Sequence, residues 1–201
     1  MKRTWIIIGI VVLAFLIVIV WPISSGISSY NKMVNMDEGV KSSWAQVENV
    51  YQRRLDLIPN LVNTVKGVSN FEKETLTQVI EARANATKVT IDPSKMTKEN
   101  FAQFQAAQGQ VSSTLSRLMV TVEQYPQLRA TENFKELQSQ LEGTENRITT
   151  ERRRFNEVAQ EYNAYIRKLV MPKMIASFSG FKEKPYFQAE TAAQKAPEVK
   201  F

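Results

Sequence analysis

From Trp5 to Trp21 every position is apolar or glycine, and no polar residue interrupts the run. Beyond it, apolar residues no longer cluster; they recur at alternating steps of three and four, the period of a helix that buries one face. The first such face is Val40, Trp44, Val47, Tyr51, Ile58, Leu61 and Val65, regular throughout if position 54, an arginine, is counted. It predicts a helix from about Ile27 to Val65, ended by Gly67 and Ser69-Asn70, with Pro22 and Gly26 as weak points ahead of it. Leu76, Val79, Ile80 and Ala84 predict a second helix over Phe71–Val89. Asp92-Pro93 then marks a turn, and Thr97 with Glu99 or Asn100 has the form of a helix start. A third helix carries Phe101, Phe104, Gln108, Val111, Leu115, Leu118, Val122 and Tyr125, and stops before Pro126. The fourth, capped around Thr131-Glu132-Asn133, has the longest seam: Phe134, Leu137, Leu141, Thr144, Ile148, Glu151, Phe155, Val158, Tyr162, Tyr165 and Leu169. That heptad, coiled-coil-like series ends before Pro172.

Short connections between long helices make neighbours antiparallel. The expected fold is therefore all-α: a single-pass transmembrane helix, then an up-down-up-down four-helix bundle with long first and fourth helices. Three segments follow: 1–23 (cytoplasmic stub and membrane helix), 24–172 (bundle) and 173–201 (extended aromatic and basic tail). The opening block of roughly 17 residues rises about 25 Å as a helix, near the ~30 Å hydrocarbon core of a bilayer. Trp5 and Trp21 stand at its two ends, where indole rings favour the interface. A cleaved signal peptide competes with this reading, since Ser24-Ser25-Gly26 supplies small residues, but the apolar block exceeds the usual core of about 7–15 residues. Lys2 and Arg3 favour a cytoplasmic N-terminus and an exported bundle.

Composition narrows the chemistry. Among 201 residues there is no cysteine and no histidine. That excludes disulfides, thiolate nucleophiles, most zinc sites, Ser-His-Asp triads and phosphohistidine relays. Glycine and proline number seven each, in keeping with long helices. The net charge of +6 is interleaved with acids, which speaks against a nucleic-acid face. No carboxylate pair is set by a motif. No catalytic, cofactor-binding or metal-binding residue is expected, and no cofactor.

The unusual stretch is the helical segment that holds Arg53, Arg54, Asp56, Pro59 and Asn60. Proline inside a helix removes a hydrogen bond and tends to kink the rod. Arg54 and Glu151 are charges on apolar seams, and Gln108 is a polar residue on another. Two readings stay open. Each side chain snorkels outward, or the helix turns to bring Leu55 in; alternatively a buried polar layer pairs Arg54 with Glu151, Glu81 or Glu145, fixing register. Arg152, Arg153 and Arg154 form a solvated face or meet an acidic partner. In the tail, Lys168, Lys173, Lys182 and Lys184 alternate with Met171, Met174, Ile175, Phe178, Phe181, Tyr186 and Phe187, which suits an anionic lipid surface, docking on the bundle or a neighbouring protomer.

Arg53-Arg54-Leu55-Asp56-Leu57-Ile58-Pro59-Asn60-Leu61-Val62 resembles the signature of the LemA family. So do Gly180-Phe181-Lys182-Glu183-Lys184-Pro185-Tyr186-Phe187, Ala196-Pro197-Glu198-Val199-Lys200-Phe201, Ser29-Tyr30-Asn31 and the Tyr162-Asn163 step. Gln188 stands where an acidic residue is expected, and Met171 and Lys173 flank Pro172 where apolar or amide residues are more usual. The resemblance implies a bacterial single-pass membrane protein with a helical bundle, no established catalysis and a poorly defined molecular role. The expected function is a non-enzymatic, self-associating membrane scaffold. The alternative is an adaptor presenting clients or signals to a membrane protease or an envelope-stress system. Expected partners are the lipid bilayer, further copies of the chain and such an envelope protein, with no nucleic acid.

Overall fold

The computed structural model describes residues 2–67, 71–168 and 171–188. The predicted Ser69-Asn70 stop, the seam residue Leu169 and the Ala196–Phe201 motif lie outside them. Among the described residues the chain is helical and has no strand. The helices are α1 (Lys2–Phe15), a π-helical turn (Leu16–Val20), α2 (Trp21–Lys66), α3 (Lys73–Lys88), a 3₁₀ turn (Pro93–Lys95), α4 (Lys98–Val122), α5 (Pro126–Arg129), α6 (Glu132–Ile166) and α7 (Met171–Ser179).

The first three segments form one uninterrupted run, long and apolar enough at its start to cross a membrane. Pro22 and Gly26 do not break it. Pro22 lacks an N–H, and its ring would press on the carbonyl four residues back, at Val18. That carbonyl lies in the π turn, whose wider helix relieves such a clash.

Pro59 lies inside α2, and the helix continues to Lys66. Its missing N–H leaves the Leu55 carbonyl without the usual intrahelical donor. Arg83 of α3 fills the vacancy, its Nε donating to the Leu55 oxygen at 2.9 Å. The proline thus becomes an attachment point between two helices.

The other boundaries follow local chemistry. Thr97 caps α4: its Oγ1 accepts from the Asn100 N–H at 3.2 Å, and Asn100 Oδ1 accepts from the Thr97 N–H at 2.8 Å. This reciprocal box selects Asn100 over Glu99 as the partner. Thr131 instead donates its hydroxyl to the Leu128 carbonyl at 2.7 Å. The segment after Lys173, expected to be irregular, is in part helical: α7 begins at Met171 with Pro172 in its first turn, where a missing N–H costs nothing. Gly180 ends it at φ 75°, a left-handed conformation suited to glycine. Residues 181–188 have no regular secondary structure.

The chain divides into two compact units. The first joins residues 1–40 to 158–183. Its core holds Met33, Val40, Ala159, Tyr162 and Ile166, with buried Asn163. Burial and the nearby Asp37 push the Tyr162 hydroxyl well above its ordinary pKa. Along α6 the buried series passes from Phe155 to Ala159, Tyr162 and Ile166, leaving the expected Val158 and Tyr165 half-exposed. A straight helix drifts relative to a strict heptad, and the buried face follows the helix.

The second unit joins residues 41–157 to the tail from Lys184. Leu55, Ile58, Leu61, Val65, Val79, Val111, Leu118, Phe134 and Leu141 share one apolar core. Trp44 sits among Phe101, Phe104, Phe155 and Phe187, with ring centroids 5.1–6.1 Å away.

Replacing Arg83 by Met is expected to cost about 1–2 kcal/mol in the native background, by orphaning the Leu55 carbonyl. The cost should be much smaller in Pro59→Ala, whose restored N–H serves that carbonyl within the helix. Chemical denaturation of the four variants measures this coupling; equal costs in both backgrounds would refute it.

Candidate functional site

Arg54 is 1% exposed, the most deeply buried charge among the described residues. Its Cζ lies 5.1 Å from the centre of the Tyr51 ring, one turn earlier on α2. Nη1 donates to Ser112 Oγ at 2.7 Å and to Glu145 Oε1 at 2.8 Å. Nη2 donates to Gln108 Oε1 at 2.6 Å and to the Gln108 carbonyl at 3.1 Å. Gln108 and Ser112 are one turn apart on α4, so both reach the same guanidinium. Nε is buried without a hydrogen-bond partner among the described residues. The arginine therefore faces inward together with Leu55, 3% exposed, because α2 has packed neighbours on more than one side.

The carboxylate that meets Arg54 is Glu145; Glu151 does not. Helical spacing gives the side of α6 that faces inward but not the level at which α6 meets α2. One Glu151 carboxylate oxygen is buried with no hydrogen-bond partner among the described residues. Glu81 is exposed on α3. Around the motif, Arg53 and Asn60 are exposed and Pro59 is half-buried. Asp56, also exposed, accepts from Gln52 Nε2 at 2.7 Å.

A solvent-open cleft of about 530 Å³ lies over this cluster, lined by Tyr51, Arg54, Gln108, Ser112, Glu145, Thr149, Arg152 and Gln188. Ala102, Ala106 and Gly109 form its α4 wall, and a Cβ at Gly109 would meet nothing within 4 Å. Small residues at helical spacing are what leave the space open. The lining offers hydrogen-bonding hydroxyls and amides, two guanidinium groups and the Glu145 carboxylate. No cluster of metal-ligating residues occurs among the described residues.

One edge of the cleft is made by the tail. Asn156 holds the Phe187 main chain at both ends: Oδ1 accepts from its N–H at 2.8 Å and Nδ2 donates to its carbonyl at 2.9 Å. Arg152 lies 4.9 Å over the Phe187 ring and donates to the Gln188 carbonyl at 2.8 Å. Lys184, expected at the lipid surface, is instead buried here, its Nζ 3.4 Å from the Pro93 carbonyl. Its long stem packs while its ammonium finds a backbone acceptor. Tyr186 is exposed and Pro185 half-buried. Arg153 and Arg154 keep to solvent. Ser112 and Asn156 carry no mark in the sequence, since isolated polar residues on a helix usually face water.

The LemA family model matches residues 43–201, which holds all of this cluster and the tail that borders it. The chain belongs to the LemA family. Magnetosome protein MamQ 2 of Paramagnetospirillum magneticum is 27% identical over 81% of this chain and 66% of its own length. Magnetosome protein MamQ of Magnetospirillum gryphiswaldense shows the same identity and coverage. Protein LemA of Metamycoplasma hominis is 21% identical over 68% of this chain and 58% of its own length. This LemA-family chain thus spans about two thirds, or slightly less, of the curated relatives it matches.

Arg54→Met should destabilise the protein by about 2–4 kcal/mol, because it strands the buried Gln108 amide. Glu145→Met should also cost about 2–4 kcal/mol, because the guanidinium of Arg54, 1% exposed, loses its carboxylate. Double-mutant cycles should couple 54 with 145 and give additive losses for 54 with 151. Additivity for both pairs would refute the assignment.

Glu48 adds a pH dependence. Burial pushes its carboxyl above the ordinary value, and the nearby Trp44 indole partly opposes this. A carboxyl that holds its proton more tightly when folded contributes stability at low pH, lost as pH rises through the folded value. Glu48→Gln should therefore flatten the fall in melting temperature as pH rises above the ordinary glutamate range, and leave the protein no less stable at neutral pH. Calorimetry across that rise in pH checks it.

Proposed function

We propose that this protein is a non-enzymatic, single-pass scaffold of the bacterial inner membrane that associates with further copies of itself. In this reading the N-terminus is cytoplasmic and the helices beyond the anchor form an antiparallel four-helix bundle outside it. The observation that carries the proposal is how Arg54 is used. Its two Nη groups are bound to Gln108, Ser112 and Glu145 of the same chain, so the deepest charge holds helices together. An apolar run able to cross a membrane supports the anchor. Antiparallel packing is supported within the first unit: Gly39 lies beside Val158 and Lys32 beside Tyr165, so one set of numbers falls as the other rises.

The mass of the full-length protein in nanodiscs tests self-association, and more than one copy per assembly is expected. A monomer that repeatedly co-purifies with one membrane protease would instead favour the adaptor reading. Because the chain has no cysteine, a cysteine placed at exposed Glu99 reports topology. A membrane-impermeant maleimide should label it from outside spheroplasts; labelling only after lysis would reverse the orientation.

A further inference from the structure

In the first unit, the start of α2 carries a shielded stripe. Pro22, Ser25 and Gly26 are half-buried and Ser29 and Met33 buried, while Ile23 and Ile27 beside them are 58% exposed. α6 cannot reach all of it. Tyr165, at its end, is level with Lys32, whose Nζ lies 4.9 Å from that ring. Within this unit the chain after Ile166 is left to cover the rest, and Phe181 meets Tyr30 with ring centroids 5.9 Å apart. Tyr30 lies only about 13 Å along the helix from Trp21. Pro22, Ser25 and Gly26 lie within about 8 Å of Trp21, so whatever shields them, unlike the contact at Tyr30, sits at the level of lipid headgroups, which extend roughly 5–8 Å beyond each side of the hydrocarbon core.

α7, which leads into Phe181, has the wrong surface for water. Ala176 is buried, whereas Met174 and Phe178, one turn apart, are 55% and 87% exposed. Met171 and Ile175 flank them, half-buried. Beside this apolar face is an open cleft of about 460 Å³, lined by Arg167, Lys173, Ser177, Phe181 and Glu183. Glu183 meets Arg167 Nε at 3.7 Å, a loose and exposed pair that leaves the rest of the guanidinium for another anion. Lys168 and Lys182 are exposed nearby in sequence, so cations outnumber the one acid of the cleft.

We propose that α7 is an interfacial helix whose Met174 and Phe178 enter the edge of the acyl-chain region, while Arg167 and Lys173 hold the phosphate of an anionic phospholipid. This rests on the reading that the N-terminal helix spans the bilayer. An apolar face with adjacent cations is the pattern that binds such surfaces.

The test uses full-length protein carrying Met174→Cys, labelled with a polarity-sensitive fluorophore. The protein is reconstituted in nanodiscs of phosphatidylcholine alone or with phosphatidylglycerol, some lipids bearing a nitroxide near the headgroup. The expected result is a blue-shifted emission quenched by the nitroxide, more strongly with phosphatidylglycerol. Phe178→Asp should abolish the quenching. Arg167→Glu and Lys173→Glu should each lower the phosphatidylglycerol-dependent binding by about fivefold. A water-exposed, unquenched label would overturn the proposal, as would quenching indifferent to phosphatidylglycerol or a blue shift without quenching, which would mean protein docking. Failure to enter the disc at all would instead refute the membrane anchor.

Discussion

Burying a guanidinium is costly unless its charge and its donors are met, and the second unit is arranged around meeting the charge and the Nη donors of Arg54. The aromatic ring of Tyr51, the carbonyl and side chain of Gln108, the hydroxyl of Ser112 and the carboxylate of Glu145 converge on one group from three helices. Apolar seams alone tolerate sliding by a turn, because one leucine replaces another with little loss. A five-donor fork tolerates no such shift, since moving α4 or α6 by one turn would leave the charge unmet. The interaction is better understood as setting register than as adding net stability.

Proline plays a related part. Pro59 interrupts the hydrogen-bond ladder of α2, and the carbonyl it exposes is taken by Arg83 from α3. A defect in one helix becomes a specific joint with the next. Pro22 is accommodated differently, by a wider turn just ahead of it, so the rod continues through this weak point. Each proline acts through the carbonyl four residues earlier.

Much of the helical layout was legible in the sequence because it depends on local rules. The three-and-four spacing marked α2, α4 and α6, and Thr97 with Asn100 announced the start of α4. Arg54 stood out as a charge on an apolar seam, and Gln108 as a polar residue on another. What could not be read was the match of levels between helices, which spacing along one chain does not encode; hence Glu145 was one candidate among three. The tail misled for a similar reason. Alternating lysines and aromatics describe an amphipathic segment without saying what it covers. Lys184 and Phe187 are held by protein, whereas Met174 and Phe178 face outward.

The position of Phe187 also bears on the order of folding. Trp44, Phe101 and Phe155 are made first, and their rings stay uncovered on one side until a segment from far down the chain arrives. Contacts of such long sequence separation are slow to form, because most of the intervening chain must be ordered before they are rewarded. The aromatic cluster therefore closes last. Until it does, a nascent chain shows an open apolar socket with a ready main-chain clamp at Asn156, which a chaperone or another chain's tail could fill first.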